Sequence, residues 1–333
     1  MKVAFIGGNG HHYLRWLYKE PNCPIDKPAV VAGDGYEDAK ARQFSDGLGK
    51  AEWAGASRYF DDARKMLDAE KPDVVSVGAV YGYNGQWVIE ALRRGAKVIS
   101  DKPIAATWEQ FHQIEALLED GTKTLITEFD LRSKPSFRAA KLAVERGDVG
   151  TVSLASAQKS YRWGTRPEWY KDRAKYGGTL LWVASHGIDL VRYTSGLKFR
   201  RVTGHQDNAA RRDYLTMEDH TASLFELEGG ATGIVHADFL RPAAAPTHGD
   251  DRVRVIGGGG VVEVRDGKCL LIKNDAPEQD ITATADTRDP YREMFAAVTG
   301  ERTDIYSTGH SLELAKVLLH ARDAADRREW IDV

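Results

Sequence analysis

The sequence predicts an α/β first half built on a doubly wound parallel sheet, followed by an α+β second half with a large, mainly antiparallel open sheet. Three observations carry this. From Lys2 to about Glu128, short apolar runs alternate with segments of helical period, the pattern of βαβ units. After Lys134 the period changes to two, which marks antiparallel strands with one face covered. The length of 333 residues suits two domains at roughly 100–200 residues each. The change of period places their boundary, giving domains of residues 1–128 and 129–333.

The strands of the first domain are Val3 to Ile6, Ala29 to Gly33, Val74 to Val77, Lys97 to Ser100 and Thr124 to Thr127, each short and apolar, as strands covered on both faces must be. Between them Leu14/Leu17, Ala63/Met66/Leu67, Val88/Ala91/Leu92 and Phe111/Ile114/Leu117/Leu118 fall at helical spacing, and right-handed crossovers make the sheet doubly wound. In the second domain a helix from Phe137 to Glu145 stops at Gly147. Alternating strands follow, among them Thr221 to Leu227, Ala231 to Phe239, Val253 to Ile256 and Val261 to Val264. Glu228-Gly229-Gly230 and Gly257 to Gly260 read as hairpin turns. A last helix, about Thr308 to Asp326, carries Leu312, Ala315, Leu318 and Leu319 on one face.

Composition excludes several classes. The 46 Lys and Arg against 49 Asp and Glu leave a net charge of −3, so a nucleic acid or anionic membrane has no compositional support as a partner. Cys23 and Cys269 form neither a disulfide framework nor a cysteine zinc site, and a reducing cytoplasm fits them. The first residues hold too short an apolar run for a signal peptide, and no run approaches the roughly 20 residues of a membrane span. The expected location is cytoplasmic. His205, His220, His236 and His248 share no ligand spacing, and no metal is expected.

Strand, glycine-rich turn and helix together aim backbone N–H groups at a pyrophosphate. Here the turn is Gly7-Gly8-Asn9-Gly10-His11-His12. Counted from Gly7, the second and third glycine positions of the dinucleotide fingerprint hold Asn9 and His12. Asp34 follows the second strand, 26 residues beyond Gly8 (34 − 8), close to the ~20 expected of the acid that binds the adenosine ribose. A carboxylate there accepts from a 2′-hydroxyl and repels a 2′-phosphate, which favours NAD over NADP. Gly8, Asn9, Gly10 and Asp34 are the candidate cofactor residues. The alternative is a flavodoxin-like sheet in which Asp34 only caps a helix.

The order of further features resembles the glucose-fructose oxidoreductase, inositol dehydrogenase and rhizopine catabolism family (Gfo/Idh/MocA). They are Ser100-Asp101-Lys102-Pro103-Ile104, Arg132 with Pro135, Gly177-Gly178, His186-Gly187-Ile188-Asp189 with Tyr193 and Gly196, and Glu218-Asp219-His220. The resemblance implies a Rossmann domain, then an α+β domain whose open sheet makes a homodimer or homotetramer. It also implies NAD(P)-dependent hydride transfer at a secondary alcohol or ketone of a sugar, inositol or related polyol. Such chemistry needs a base and a positive charge for the developing alkoxide. Lys102, past the end of a strand, is expected to supply the charge to substrate oxygen and nicotinamide ribose, and His186 to exchange the proton. Asp189 is expected to be structural.

Several positions depart from the family pattern. Trp182 stands four residues before His186, where the family commonly has an aspartate; it is a platform for a sugar ring, a sign of a decayed dyad, or core packing. Val80 and Asn84 replace a frequent proline and histidine, and Asp101 a glutamate. Tyr81, Tyr161 and Tyr176 are substitute proton carriers. Arg162-Trp163-Gly164-Thr165-Arg166 with Trp169-Tyr170 suits a carbohydrate or acidic sugar, or equally a dimer contact. Lys102, Arg166, Trp182 and His186 are the candidate substrate residues. Two other outcomes fit the resemblance: an enzyme that cleaves glycosides by transient oxidation, and a ligand-sensing regulator of the same fold.

Overall fold

A computed structural model describes residues 1–51, 55–214, 216–301 and 303–333. The chain divides into two compact units, Met1–Glu128 with Asp289–Ala315, and Phe129–Arg288 with Lys316–Val333.

In the first unit, strands β1 (Val3–Ile6), β2 (Ala29–Ala32), β3 (Ser57–Phe60), β4 (Val74–Val77), β5 (Lys97–Ser100) and β6 (Leu125–Thr127) form a parallel sheet. Its order is β3-β2-β1-β4-β5-β6, the dinucleotide-binding order that reverses between β1 and β4. β1, β2 and β4 are wholly buried, as their apolar runs require. β3 was not among the expected strands, because its half-exposed edge position admits Ser57 and Arg58 and breaks the apolar run. Helices α1 (Asp38–Gly49), α2 (Ala63–Glu70), α3 (Asn84–Arg93) and α4 (Trp108–Leu118) connect the strands. The segment after the glycine turn corrects the sequence reading: Tyr13–Lys19 is a tight 3-10 helix, not an α-helix.

The second unit holds a nine-stranded sheet of β7 (Val152–Arg162), β8 (Phe199–Asp207), β9 (His220–Leu227), β10 (Thr232–Arg241), β11 (Gly249–Gly257), β12 (Gly260–Arg265), β13 (Lys268–Lys273), β14 (Ala276–Asp280) and β15 (Ile331–Asp332). The order is β14-β13-β12-β11-β7-β10-β9-β8-β15. Every pairing is antiparallel except β7 with β10. Both expected hairpin turns are present, at 228–230 and between Gly257 and Gly260. None of the runs singled out in the sequence covers β7, because Gln158 and Lys159 interrupt its alternation. Helices α5 (Pro135–Glu145), α6 (Arg173–Tyr176) and α7 (Ser185–Ser195) belong to this unit. Gly187 lets α7 press onto β10, since a Cβ there would lie 2.6 Å from Val235 Cγ1.

The expectation that all of 129–333 forms one domain is also corrected. Helix α8 (Pro290–Thr299) and the first part of α9 (Thr308–Arg327) belong to the first unit. β6 is an edge strand, and its outward N–H groups need acceptors. Leu125 N–H donates to Thr308 Oγ1 at 3.2 Å and Thr127 N–H to Ser311 Oγ at 3.0 Å. Lys97 Nζ also donates to Thr299 O at 3.3 Å. A polar cap on a sheet edge leaves no hydrophobic period, so the sequence pattern was silent about it.

A buried ion pair ties the second unit together. Arg132 Nε donates to Asp189 Oδ1 and Oδ2 at 2.9 and 3.0 Å, and Arg132 Nη2 also pairs with Oδ1. Tyr193 Oη donates to Arg132 O at 3.2 Å. Burial raises the Asp189 carboxyl above its ordinary range against the pull of Arg132. Asp189 therefore anchors α7 to the segment after residue 128, the structural role expected of it.

Candidate functional site

The glycine turn is shaped by what presses on it. Gly7 has φ +85°, and a Cβ there would sit 2.5 Å from Gly78 O. A Cβ on Gly8 would lie 2.4 Å from Lys40 O, and one on Gly10 2.6 Å from Asp101 Oδ2. Glycine is obligatory at each, because backbone or a buried carboxylate stands where the side chain would be. Several turn N–H groups are used within the protein: Gly7 N–H donates to Ala32 O, Asn9 and Gly10 N–H to Gly78 O at 3.0 and 2.9 Å, and His11 N–H to Asp101 Oδ2 at 2.8 Å. Asn9 Nδ2 is buried with no acceptor among the described residues.

His12 occupies the place of the third glycine, and its ring fills the space a glycine would leave. Nε2 donates to Gly7 O at 3.2 Å, Nδ1 lies 2.8 Å from Ser76 Oγ, and the ring stacks on Phe44 at 4.7 Å. Burial pushes its pKa down to about 4. The neutral imidazole thus supports the fold at neutral pH, while the unfolded chain takes up a proton below its ordinary pKa of 6.5. Stability should accordingly be full above that value and fall as pH drops towards 4, by about 2–3 kcal/mol. Urea midpoints at neutral and acid pH measure this, and the difference should shrink in His12→Gln. A difference that persists unchanged in the variant assigns the acid sensitivity elsewhere.

Asp34 is 1% exposed. Its Oδ1 accepts from Tyr36 and Glu37 N–H, both at 2.9 Å, and its Oδ2 from Val80 N–H at 2.8 Å. The carboxylate thus clamps the turn after β2 to the loop after β4. The sequence reading had it presented to a ribose; the structure gives it a backbone-binding duty as well. Asp34→Ala would orphan three N–H groups, and a loss of about 2 kcal/mol or more in stability is expected. Asp34→Asn keeps an acceptor and removes the charge, so it should hold most of that stability in a thermal melt.

At the end of β5, Lys102 and Asp101 are buried together, with Nζ 2.9 Å from Asp101 Oδ1. His11 Nδ1 lies 3.1 Å from Asp101 Oδ2 and 3.5 Å from Lys102 Nζ. Burial alone would raise the Asp101 carboxyl; the charges of Lys102 and His11 overcome this and hold it below the usual carboxylate range. Asn84, fully buried, accepts from Ala79 N–H at 3.0 Å and donates to Asp101 O at 3.2 Å. It is a clamp on the segment that carries Lys102. Buried Glu128 completes the group, with Oε1 accepting from Tyr13 N–H at 3.4 Å.

His11, Asp101 and Glu128 bring ligand atoms within 4.8 Å of one another. The Lys102 ammonium already supplies the positive charge against Asp101, so the arrangement is an ammonium, carboxylate and imidazole chain. It runs from a buried amine to a half-exposed ring. Sequence reasoning found Lys102 and missed His11 and Glu128. The one signal was the shortened acid at 101, whose carboxylate reaches the residue after the turn.

In the second unit His186 lies in the first turn of α7, buried, with Phe129 edge-on at 5.9 Å. Trp182, also buried, sits in a π-helical turn, Leu180–Ala184. The expected regular α-helical relation between the two is corrected by that wider turn, a feature frequent at functional sites. Tyr176 is fully buried, its Oη 3.0 Å from Thr179 Oγ1, and burial pushes its pKa well above the ordinary value. That removes it as a proton carrier near neutral pH. Tyr161 lies beneath the Lys159 ammonium at 4.6 Å. Arg166 rests over Phe239 at 4.6 Å and donates from Nη2 to Arg162 O at 3.1 Å.

Comparison with known proteins agrees with this geometry. Residues 1–129 match the model described as an oxidoreductase family, NAD-binding Rossmann fold, and residues 137–263 match the GFO/IDH/MocA C-terminal domain. The chain is 23% identical to the scyllo-inositol 2-dehydrogenase (NAD(+)) of Bacillus subtilis, over 78% of this chain and 72% of that protein. It is 30% identical to the D-glucoside 3-dehydrogenase of Escherichia coli, over 44% of this chain and 42% of that one. A solved structure from Thermotoga maritima superposes with a TM-score of 0.90 at 27% identity, covering 100% of both chains.

Proposed function

The chain belongs to the Gfo/Idh/MocA oxidoreductase family and carries its NAD-binding Rossmann unit, and from that premise we propose that it transfers a hydride between NAD and a secondary alcohol or ketone of a sugar, inositol or related polyol. The observation that carries the reading is the buried Lys102 ammonium, held by Asp101 at the carboxyl end of a parallel strand, where ligands of open α/β sheets bind.

The residues of the turn fit the dinucleotide. Gly8 and Gly10 allow close approach of backbone, and Asn9 Nδ2 is a buried donor with no acceptor among the described residues. Gly8, Asn9 and Gly10 would hold the diphosphate, and the charge of Asp34 at the end of β2 favours NAD over NADP. When bound, NAD supplies the hydride acceptor or donor. Lys102 donates to the reacting oxygen and the nicotinamide ribose, and stabilises the negative charge that develops as the hydroxyl proton leaves. Asp101 fixes the Lys102 amine in position and keeps it charged. His11 positions Asp101 from the solvent side. His186 takes up or returns the proton, its near-neutral titration suiting that exchange. Arg166 and Trp182 bind the substrate.

The outer face of the nine-stranded sheet exposes Leu224, Ile234, Leu240 and Ile272, with Leu224 directly opposite Ile234 across β9 and β10. An apolar strip there supports a homodimer or homotetramer through this sheet, which light scattering on Ile234→Lys tests by loss of the assembly. Two free thiols support a reducing, cytoplasmic location. Among the described residues no helix is long and apolar enough to cross a membrane.

The decisive experiment is titration with NADH and NADPH, followed by energy transfer from the eight tryptophans and by mass spectrometry for retained cofactor. A polyol screen for NADH formation follows. Tighter binding of NADH than NADPH with turnover of a polyol is the expected result. Binding of neither, with none retained from purification, would remove the reading.

A further inference from the structure

Three arginines in the second unit share one aromatic cluster and have no counter-charge. Arg162 ends β7, Arg166 follows in the next loop, and Arg211 lies between β8 and β9. The Arg166 guanidinium stands 4.6 Å from the Phe239 ring and that of Arg211 4.9 Å from Trp163. Trp163 meets Tyr214 and Phe239 edge-on at 4.9 and 5.7 Å. All three arginines are partly exposed, yet the Nε of each is buried without an acceptor, and no described carboxylate pairs with any of them. Other arginines of this unit are compensated: Arg132 by Asp189, Arg138 by Asp286, Arg173 by Glu218 and Asp326. A guanidinium keeps its charge at every ordinary pH, and a buried donor without an acceptor is unfavourable.

The surroundings hold this cluster in place. Asp219 Oδ2 accepts from the N–H groups of Ala209, Ala210 and Arg211 at 3.1, 2.6 and 3.0 Å. Asn208 Nδ2 donates to Arg211 O, Tyr214 O and Met217 O at 2.9, 2.8 and 2.7 Å. Tyr214 Oη donates to Arg166 O at 2.9 Å and joins the two loops. The local field is positive: His248 is pushed below its ordinary pKa by burial and then by Arg166, Arg162 and Lys159.

We propose that Arg162, Arg166 and Arg211 form an oxyanion-binding subsite, so that the carbohydrate taken by this chain is anionic, a sugar acid or a sugar phosphate. The inference rests on the reading of the chain as a sugar oxidoreductase and names the substrate class. Guanidinium forks match the paired oxygens of carboxylate and phosphate, and the aromatic surfaces of Trp163 and Tyr214 suit the C–H face of a sugar ring.

Calorimetric titration of the full chain, with and without NADH, against D-glucuronate, D-glucose 6-phosphate and D-glucose tests this. One of the two anions should bind about tenfold or more tightly than glucose, and which one does so separates carboxylate from phosphate. Arg211→Gln and Arg162→Gln should each erase that margin with melting curves unchanged, and Arg211→Lys should restore part of it. Equal binding of all three sugars, binding of none, or an anion preference that survives both substitutions overturns the proposal. NADH formation from neutral polyols with no anion preference overturns it and leaves the dehydrogenase reading standing. Arginine-dependent anion binding without any NADH binding sustains it and removes that reading.

Discussion

Lys102→Ala is expected to lower turnover by about 100-fold or more while leaving NADH affinity within a few-fold. The ammonium acts as charge builds on the substrate oxygen, so its loss falls on kcat and not on dinucleotide binding. The structure adds a second consequence. Asp101 is buried against Lys102 at 2.9 Å, and without the ammonium its carboxylate keeps only His11 and backbone donors. Its pKa should rise from its lowered position, and part of the stability of the first unit should go with it. Thermal melts of Lys102→Ala and Lys102→Arg separate the two effects. The arginine variant restores the charge beside Asp101 but not the compact amine, so stability should return further than turnover. Unchanged turnover in Lys102→Ala would remove the lysine from the mechanism.

The second large effect is on stability. Asp189→Ala should destabilise the protein by about 3–5 kcal/mol, because it leaves the Arg132 guanidinium buried without its partner. Arg132 and Asp189 are 2% and 1% exposed, so water cannot replace the lost carboxylate. The pair fastens α7, which carries His186, to the segment beginning at Phe129, whose ring touches His186. Denaturant unfolding should show the loss directly. Replacing both residues, Arg132→Met with Asp189→Leu, should recover much of it, since an apolar pair of similar volume has no charge to desolvate. A double variant no more stable than the single would mean that the ion pair contributes something apolar packing cannot.

Reading from sequence reached those features whose physics is local. Apolar runs of strand length named β1, β2, β4, β5 and β6, because strands covered on both faces must be apolar throughout. The helical stripe of Phe137 to Glu145 and the glycine hairpins of the second sheet were legible for the same reason. β3 and β7 were not, since an edge strand and a central strand carrying Gln158 and Lys159 tolerate polar residues that erase the period. Within the candidate site, Lys102 stood out by its place after a strand and His186 by the family motif. His11 and Glu128 did not, because 90 residues separate His11 from Asp101 and nothing in the local pattern records that approach.

The sequence by itself determined the class of fold, the family, and the residue types at the turn, at Lys102 and at His186, because hydrophobic period and motif spacing are properties of neighbours along the chain. Only the tertiary structure decided what those residues touch. It turned the segment after the glycine turn into a 3-10 helix and filled the third glycine position with the His12 ring. It committed Asp34 to three backbone N–H groups and returned α8 to the first unit. It also left three arginines around Trp163 without a carboxylate. Each of these is a matter of hydrogen bonds and charges between residues far apart in sequence. Such partners are chosen by which buried polar groups the fold must satisfy, and no local pattern of residues encodes that choice.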